Sequence, residues 1–219
     1  MKRILLATSI LVLTSSTVFA FGLPSFGGES KSASGLSADQ IQDQFSNVSK
    51  DYTAATKNFL LSASTALDAF NSKSSSERLK SEADQLGSGA VSSEDVEKRT
   101  AMLKSAKDEV TAKLKSGEKL SEAGKAKMTE SMSYMGKGIA NEVPLVATVA
   151  SLSKNTVDSL KSVSVTQIGK VKATAGVLTT LSSNLPKDLG IAKDTLGLYM
   201  DYAKTNRIEI PKDASDIFK

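Results

Sequence analysis

Apolar positions along the chain recur at helical spacing. The clearest run lies in residues 41–59, where apolar residues are separated by alternating steps of four and three positions. Its members are Ile41, Phe45, Val48, Tyr52, Ala55 and Phe59. This alternation forms one coiled-coil-like stripe on an α-helix, whereas a half-buried strand would alternate at every second position. Ser37 and Gln40 precede the stripe with the spacing of a capping box, so the pattern predicts a helix over residues 38–71.

Two further capping patterns mark the helices that follow. Ser74 and Glu77 predict the start of a short helix that ends near Leu86, before two glycines. Ser92 and Asp95 predict the start of the next helix, which ends at a glycine at position 117. Valines on either side of this second cap, at positions 91 and 96, have the spacing of a hydrophobic staple.

Glycine and proline interrupt the helical spacing in the middle of the chain. The fourth predicted helix is interrupted at Gly136 and Gly138, and apolar spacing resumes over residues 139–160. Pro144 either starts a new helix, where its missing N–H group is harmless, or kinks a continuous one. Asn141 is a suitable cap, so the sequence favours a new helix at this point.

The last part of the chain predicts two more helices and a tail. The first carries apolar residues from Ile168 onward and ends before Pro186, and the second covers residues 189–206. The tail, residues 207–219, contains alternating isoleucines and is predicted to be extended. Runs of alternating β-branched residues and hairpin dipeptides are absent. Residues 37–206 are therefore predicted to form an all-α, elongated antiparallel bundle of about five to seven helices with a long first helix.

The N-terminus has the pattern of an export signal. A positively charged start precedes an apolar run over residues 4–13, and a cleavage-site pattern ends at Ala20. The apolar run is shorter than the roughly 18–20 residues that span a bilayer. We therefore expect residues 1–20 to be a signal peptide and the mature chain to be soluble, in the periplasm or secreted. Residues 21–36, rich in Gly and Ser, are predicted to be a flexible leader.

Charge and residue usage restrict the function. The whole chain has 28 basic and 24 acidic residues, and removing Lys2 and Arg3 leaves 26 against 24, a formal charge of +2. Such a balanced chain has no long-range field that favours a nucleic-acid partner. It contains neither His nor Cys, which excludes Ser-His-Asp and Cys-His catalysis and zinc sites built from these residues. The sequence predicts no catalytic residues, no metal and no cofactor.

Two apolar features are candidates for binding. Three methionines share one helix face and are most typical of core packing, although an adaptable binding groove or a Cu(I) site would use the same spacing. They are Met128, Met132 and Met135. The most apolar part of the mature chain, residues 139–152, is typical of a central buried helix. Alternatively, it contacts a membrane or a partner. The residues that would make this contact are Leu145, Val146, Val149 and Leu152.

These observations favour a protein that works by binding. We expect an exported, non-enzymatic helical bundle that binds a protein partner or forms a homo-oligomer in the bacterial envelope. The first alternative is a lipid-binding or membrane-active protein, similar in action to a helical pore-forming protein, that contacts anionic lipid. The second alternative is an enzyme without His or Cys.

Overall fold

The described part of the chain contains only helices. The computed structural model of the protein describes residues 36–87 and 89–219, and these ranges contain six α-helices and no strand. The helices are α1 (Ala38–Ala69), α2 (Lys73–Gln85), α3 (Ser93–Lys115), α4 (Glu122–Ser159), α5 (Ile168–Asn206) and α6 (Lys212–Ser215). The all-α prediction and the long first helix are confirmed. The predicted signal peptide and residues 21–35 of the predicted leader lie outside the described residues.

Contacts between helices give their directions. Ala69 of α1 lies against Gly124 of α4, and Phe59 of α1 lies against Gly138 of α4, so these two helices run antiparallel. α5 packs on α4 after a further reversal, and α3 lies against both α5 and α1. This arrangement is an antiparallel helical bundle, as the short connections predicted.

Two of the three predicted capping boxes form. Ser37 and Ser92 each accept a hydrogen bond from the backbone N–H three residues later, and the side chain at that position bonds back. The box predicted at Ser74 was wrong, because the N-cap of α2 is Ser72, two residues earlier, and its side chain makes no capping hydrogen bond. Asn71 adopts a left-handed conformation, with φ of 56°, which turns the chain immediately after α1.

The interruptions predicted in the second half of the chain were wrong. α4 continues through Gly136, Gly138 and Pro144, and α5 continues through Pro186. A Cβ atom at position 138 would lie 2.4 Å from the Phe59 ring, so this glycine permits close packing and does not end the helix. Both prolines are exposed, and each removes only one backbone hydrogen bond from a helix that its buried face holds in place.

The C-terminal tail is extended only in its first part. Residues 208–211 have no regular structure, but Lys212 begins α6, so the prediction of an extended tail was wrong from that residue onward. The tail lies on α4, where Ser133 bonds to the Asp213 carboxylate at 2.6 Å. Gly136 makes room for it, since a Cβ atom there would lie 2.9 Å from the Asp213 carbonyl oxygen.

The core has two principal parts. The main cluster unites buried residues of all six helices and includes Phe59, Leu79 and Tyr199. The tip cluster draws on the first half of α1, the N-terminal region of α3, the second half of α4 and the first half of α5. It consists of Phe45, Val48, Tyr52, Val91, Val96, Leu145, Val149, Leu152, Leu178, Leu181 and Leu185.

Replacing Gly138 with alanine is expected to destabilise the bundle. The new methyl group would press on the buried Phe59 ring, and overpacking of this kind costs about 1–3 kcal/mol. Gly190→Ala is the matched control, because nothing lies within 4 Å of a Cβ atom there. It is expected to stabilise the helix by about 0.5–1 kcal/mol. Urea unfolding followed by circular dichroism measures both changes, and equal effects would contradict the packing role of Gly138.

Candidate functional site

Two carboxyl side chains lie inside the bundle. Glu142 of α4 and Asp188 of α5 are both 0% exposed. One Asp188 oxygen accepts a hydrogen bond from the Tyr52 hydroxyl of α1 at 3.2 Å. The other Asp188 oxygen and both Glu142 oxygens have no hydrogen-bond partner among the described residues. Burying an ionised carboxylate without partners is costly, so this pair is the most unusual feature of the core.

Helix α3 places one cation beside Tyr52 and one hydroxyl group beside Asp188. Arg99 is buried, donates to the Thr53 hydroxyl at 2.8 Å, and places its guanidinium 5.4 Å from the centre of the Tyr52 ring. The ion pairs of the described residues include neither Arg99 nor the two buried acids. Thr100 approaches Asp188 but lies outside hydrogen-bonding geometry. The buried cation therefore stacks on Tyr52 and leaves the two acids without a salt bridge.

Burial changes the protonation of both acids. Loss of contact with water raises the pKa of Glu142 to about 9, and the neighbouring charge of Asp188 adds to this rise. Burial raises the pKa of Asp188 to about 6, while Thr100, Tyr52 and Lys187 limit the increase. At neutral pH the pair therefore holds about one proton, with Glu142 uncharged and Asp188 mostly ionised.

The backbone is weakened at the level of the pair in both helices. Pro144 follows Glu142 by two positions, and Pro186 precedes Asp188 by two positions. Because proline has no N–H group, each helix lacks one internal hydrogen bond at this level. The pair lies between the main cluster and the tip cluster, since Tyr52 belongs to the tip cluster and Asp188 lines a cavity of about 10 Å³ with Phe59 and other main-cluster residues.

The candidate residues named from the sequence occupy different environments. Met128, Met132 and Met135 are buried together in the main cluster. The apolar residues of the 139–152 segment divide between core and surface. Leu145, Val149 and Leu152 belong to the tip cluster, whereas Val146 is 36% exposed. A contact through the three buried residues would therefore require the tip of the bundle to open.

One side of α4 presents apolar residues to solvent. Val143 and Val157 are 49% and 51% exposed, and residues 143–153 contain no charged side chain. We define the outer α4 face by its exposed apolar residues, which are Val143, Val146, Ala147, Ala150 and Val157. Single exposed valines are common on protein surfaces, but a continuous apolar strip such as that over residues 143–150 is characteristic of interaction sites, and the exposed Lys154 separates this strip from Val157.

Helix α5 carries a seam of small residues at a spacing of exactly seven. The α5 seam consists of Gly169, Gly176, Ser183, Gly190 and Gly197. Nothing lies within 4 Å of a Cβ atom built on any of its four glycines, so packing inside the described residues does not require them. A glycine inside a helix costs about 0.5–1 kcal/mol relative to alanine. Residues 173–186, which include the middle of the seam, contain no charged side chain.

The sequence contains signals for the buried pair and for the seam, although the apolar periodicity alone does not reveal them. Glu142 is the only acid in the most apolar segment, and Asp188 lies at helical spacing from the buried residues Leu181, Leu185 and Ala192. The seven-residue spacing of the seam is visible only if α5 is one continuous helix. The sequence predicted two helices divided near Pro186, and this division separates the glycines on either side of it.

Comparisons with protein-family models, with curated proteins and with solved structures found no match. Helices of the described ranges are all too short or too polar to cross a membrane. In the same ranges, no three His, Cys, Asp or Glu side chains form a group suited to a metal ion. Function must therefore be inferred from the buried pair and from the surfaces of α4 and α5.

The free energy of unfolding is expected to fall as the pH rises from about 5 to about 9. Unfolded carboxyl groups lose their protons near pH 4, whereas folded Asp188 and Glu142 hold theirs to about pH 6 and about pH 9. The folded chain therefore binds more protons in this range, and each retained proton gives a slope of up to about 1.4 kcal/mol per pH unit. Urea unfolding at constant ionic strength measures this slope.

Glu142→Gln tests the origin of the slope. It removes the ionisable group but preserves the side-chain shape, so it is expected to flatten the profile above pH 6 and to stabilise the protein at pH 8. Asp201→Asn removes an exposed acid of α5 and is expected to keep the wild-type profile. A Glu142→Gln profile as steep as that of the wild type would show that this carboxyl does not cause the dependence.

Proposed function

We propose that the protein is an exported, non-enzymatic helical bundle that acts by binding a protein surface, in the first instance a second copy of itself. The binding surface consists of the outer α4 face and the α5 seam. The observation that carries the proposal is their combination: exposed valines on one helix and, on its neighbour, glycines that packing among the described residues does not require.

Helix packing explains why this combination favours a helical partner. Seven-residue spacing places the small residues along one line of α5, and it is the spacing at which a helix presents a continuous seam to another helix. Small side chains allow two backbones to approach closely, so van der Waals contact with a partner helix would offset the helical cost of the glycines. The absence of charge over residues 143–153 and 173–186 lowers the cost of removing water from this surface.

Other features support an exported binding protein over an enzyme. The N-terminal sequence has the pattern of a signal peptide, and the chain has neither His nor Cys. The two acids with strongly raised pKa values, Glu142 and Asp188, are closed off from solvent, so neither reaches a substrate in this conformation. The remaining polar groups of the core bond mostly to helix backbones and neighbouring hydroxyls, as the Ser62–Ser131 pair does.

Association of the mature chain is expected to depend on the outer α4 face. Sedimentation analysis of residues 21–219 should show concentration-dependent oligomers, and Val143→Glu combined with Val146→Glu should weaken association at least tenfold. The substitutions place charge where solvent already reaches, so the fold is retained. Ala101→Glu on the exposed side of α3 is the matched control and should associate normally.

Ser183→Arg tests the α5 seam in the same assay, because a long charged side chain would hold a partner helix away. A wild-type chain that stays monomeric at all concentrations and retains no protein from its own cell envelope would contradict the proposal. Retention of an envelope protein that the double Val→Glu variant no longer retains would instead identify a partner other than a second copy.

A membrane surface is the second candidate for the same face. The observation in its favour is that Val143, Val146 and Val157 are exposed while the leucines behind them form only the smaller part of the core. Flotation with vesicles containing anionic phosphatidylglycerol, together with dye release, tests it. Binding that Val143→Glu and Val146→Glu abolish would support this candidate, and the absence of both flotation and dye release would exclude it.

A further inference from the structure

The tip of the bundle is held less firmly than the rest. The main cluster joins residues of six helices, whereas the tip cluster joins parts of four. Besides apolar packing, the described residues give the tip few polar links between distant parts of the chain. Beyond the level of the buried pair they are the bonds from Gln42 to Thr174, from the Val91 N–H to Ser49, and from Thr180 to Ser93, and at that level Tyr52 bonds to Asp188 and Arg99 bonds to Thr53. Local opening usually begins where a region has few buried contacts.

The buried pair lies at the boundary where the tip begins. Pro144 and Pro186 lie beside it in two adjacent antiparallel helices, and each interrupts the backbone hydrogen bonds at this level. The α4–α5 hairpin beyond these prolines, residues 145–185, can therefore bend as a unit without breaking the helices of the main cluster. Tyr52 connects this level to α1 through its bond to Asp188.

The groups around the pair do not neutralise two negative charges. From α1 the pair is faced by Tyr52, whose pKa is raised by burial and by the charge of Asp188. From α3 the uncharged Thr100 approaches Asp188, while Arg99 bonds to Thr53 and stacks on Tyr52. From α5 the exposed Lys187 favours ionised Asp188 from the surface. Glu142 itself has no partner atom on any of these helices.

We propose that the Glu142–Asp188 pair is a proton-controlled latch. With Glu142 protonated, the pair carries at most one negative charge and the hairpin tip stays closed on α1. When both acids are ionised, two buried charges of the same sign repel each other and lack water, and they regain water only if the hairpin moves away at Pro144 and Pro186. This inference concerns the interior of the bundle and does not depend on the proposed binding surface.

Opening of the latch would expose a specific set of side chains. Leu145, Val149 and Leu152 of α4 would lose their contacts with Phe45 and Val48 of α1, while the main cluster would stay intact. An apolar surface that is closed when the pair is protonated would thus become accessible at higher pH. Since Asp188 is already mostly ionised at neutral pH, this change follows the loss of the Glu142 proton as the pH rises towards about 9.

Hydrogen exchange of the mature chain, measured by mass spectrometry from pH 5 to pH 9, tests the latch directly. After correction for the intrinsic pH dependence of exchange, protection of amides in residues 145–181 is expected to fall at least tenfold. Protection of residues 124–139, in the main-cluster half of α4, should change much less. An equal loss of protection in both segments, or no loss in either, would overturn the proposal.

Variants separate the latch from general destabilisation. Glu142→Gln and Asp188→Asn should each retain tip protection at pH 9, while Asp201→Asn, the exposed control on α5, should behave as the wild type. Pro144→Ala combined with Pro186→Ala restores two backbone N–H groups and should slow tip exchange at pH 9 severalfold. Because the alanine variant keeps both acids, it tests the hinge even if neither acid variant folds. Unchanged tip exchange in it would exclude hinging at the prolines.

Discussion

The close approach of α1 and α4 is the constraint on which the rest of the bundle depends. Gly138 lets the Phe59 ring lie against the α4 backbone, and Ser62 and Ser131 each donate a hydrogen bond to the other's carbonyl oxygen at 2.8 Å. Small residues at this interface bring the backbones together, so dispersion contacts accumulate along the two helices without many large side chains. The main cluster forms around this interface, and α2, α3, α5 and α6 add to it.

Fewer helices pack together in the tip cluster than around the α1–α4 interface. The boundary between the two parts is occupied by Glu142 and Asp188. A bundle selected only for stability would carry apolar side chains there, because a buried acid without a salt bridge stabilises less than a packed leucine. Two such acids, in two helices that both contain proline, are better explained by a need for movement than by stability.

Local sequence signals predicted where most of the helices lie. They did not predict that α4 and α5 continue through their glycines and prolines. The capping patterns at Ser37 and Ser92 fixed two helix starts, because a cap depends only on neighbouring residues. Gly138 was expected to interrupt a helix and Pro144 to lie at the start of a new one, since both residues have poor helix propensity, but tertiary packing overrides propensity when the buried face is continuous. The buried pair depends on residues that are 46 positions apart in sequence and meet only in the fold, so periodicity within one helix does not reveal it.

Most of the outer α4 face and most of the α5 seam lie in the hairpin that the proposed latch would hold closed, so binding and protonation are linked. A partner that binds only the closed tip stabilises the state in which the pair holds its proton. By linkage, protonation of the pair must increase the affinity for that partner by the same factor. Protonation would then strengthen binding, and ionisation of the pair would weaken it. A partner that binds the exposed tip leucines would show the opposite dependence. The sign of the pH dependence of binding therefore distinguishes a partner of the closed bundle from a partner of the opened one.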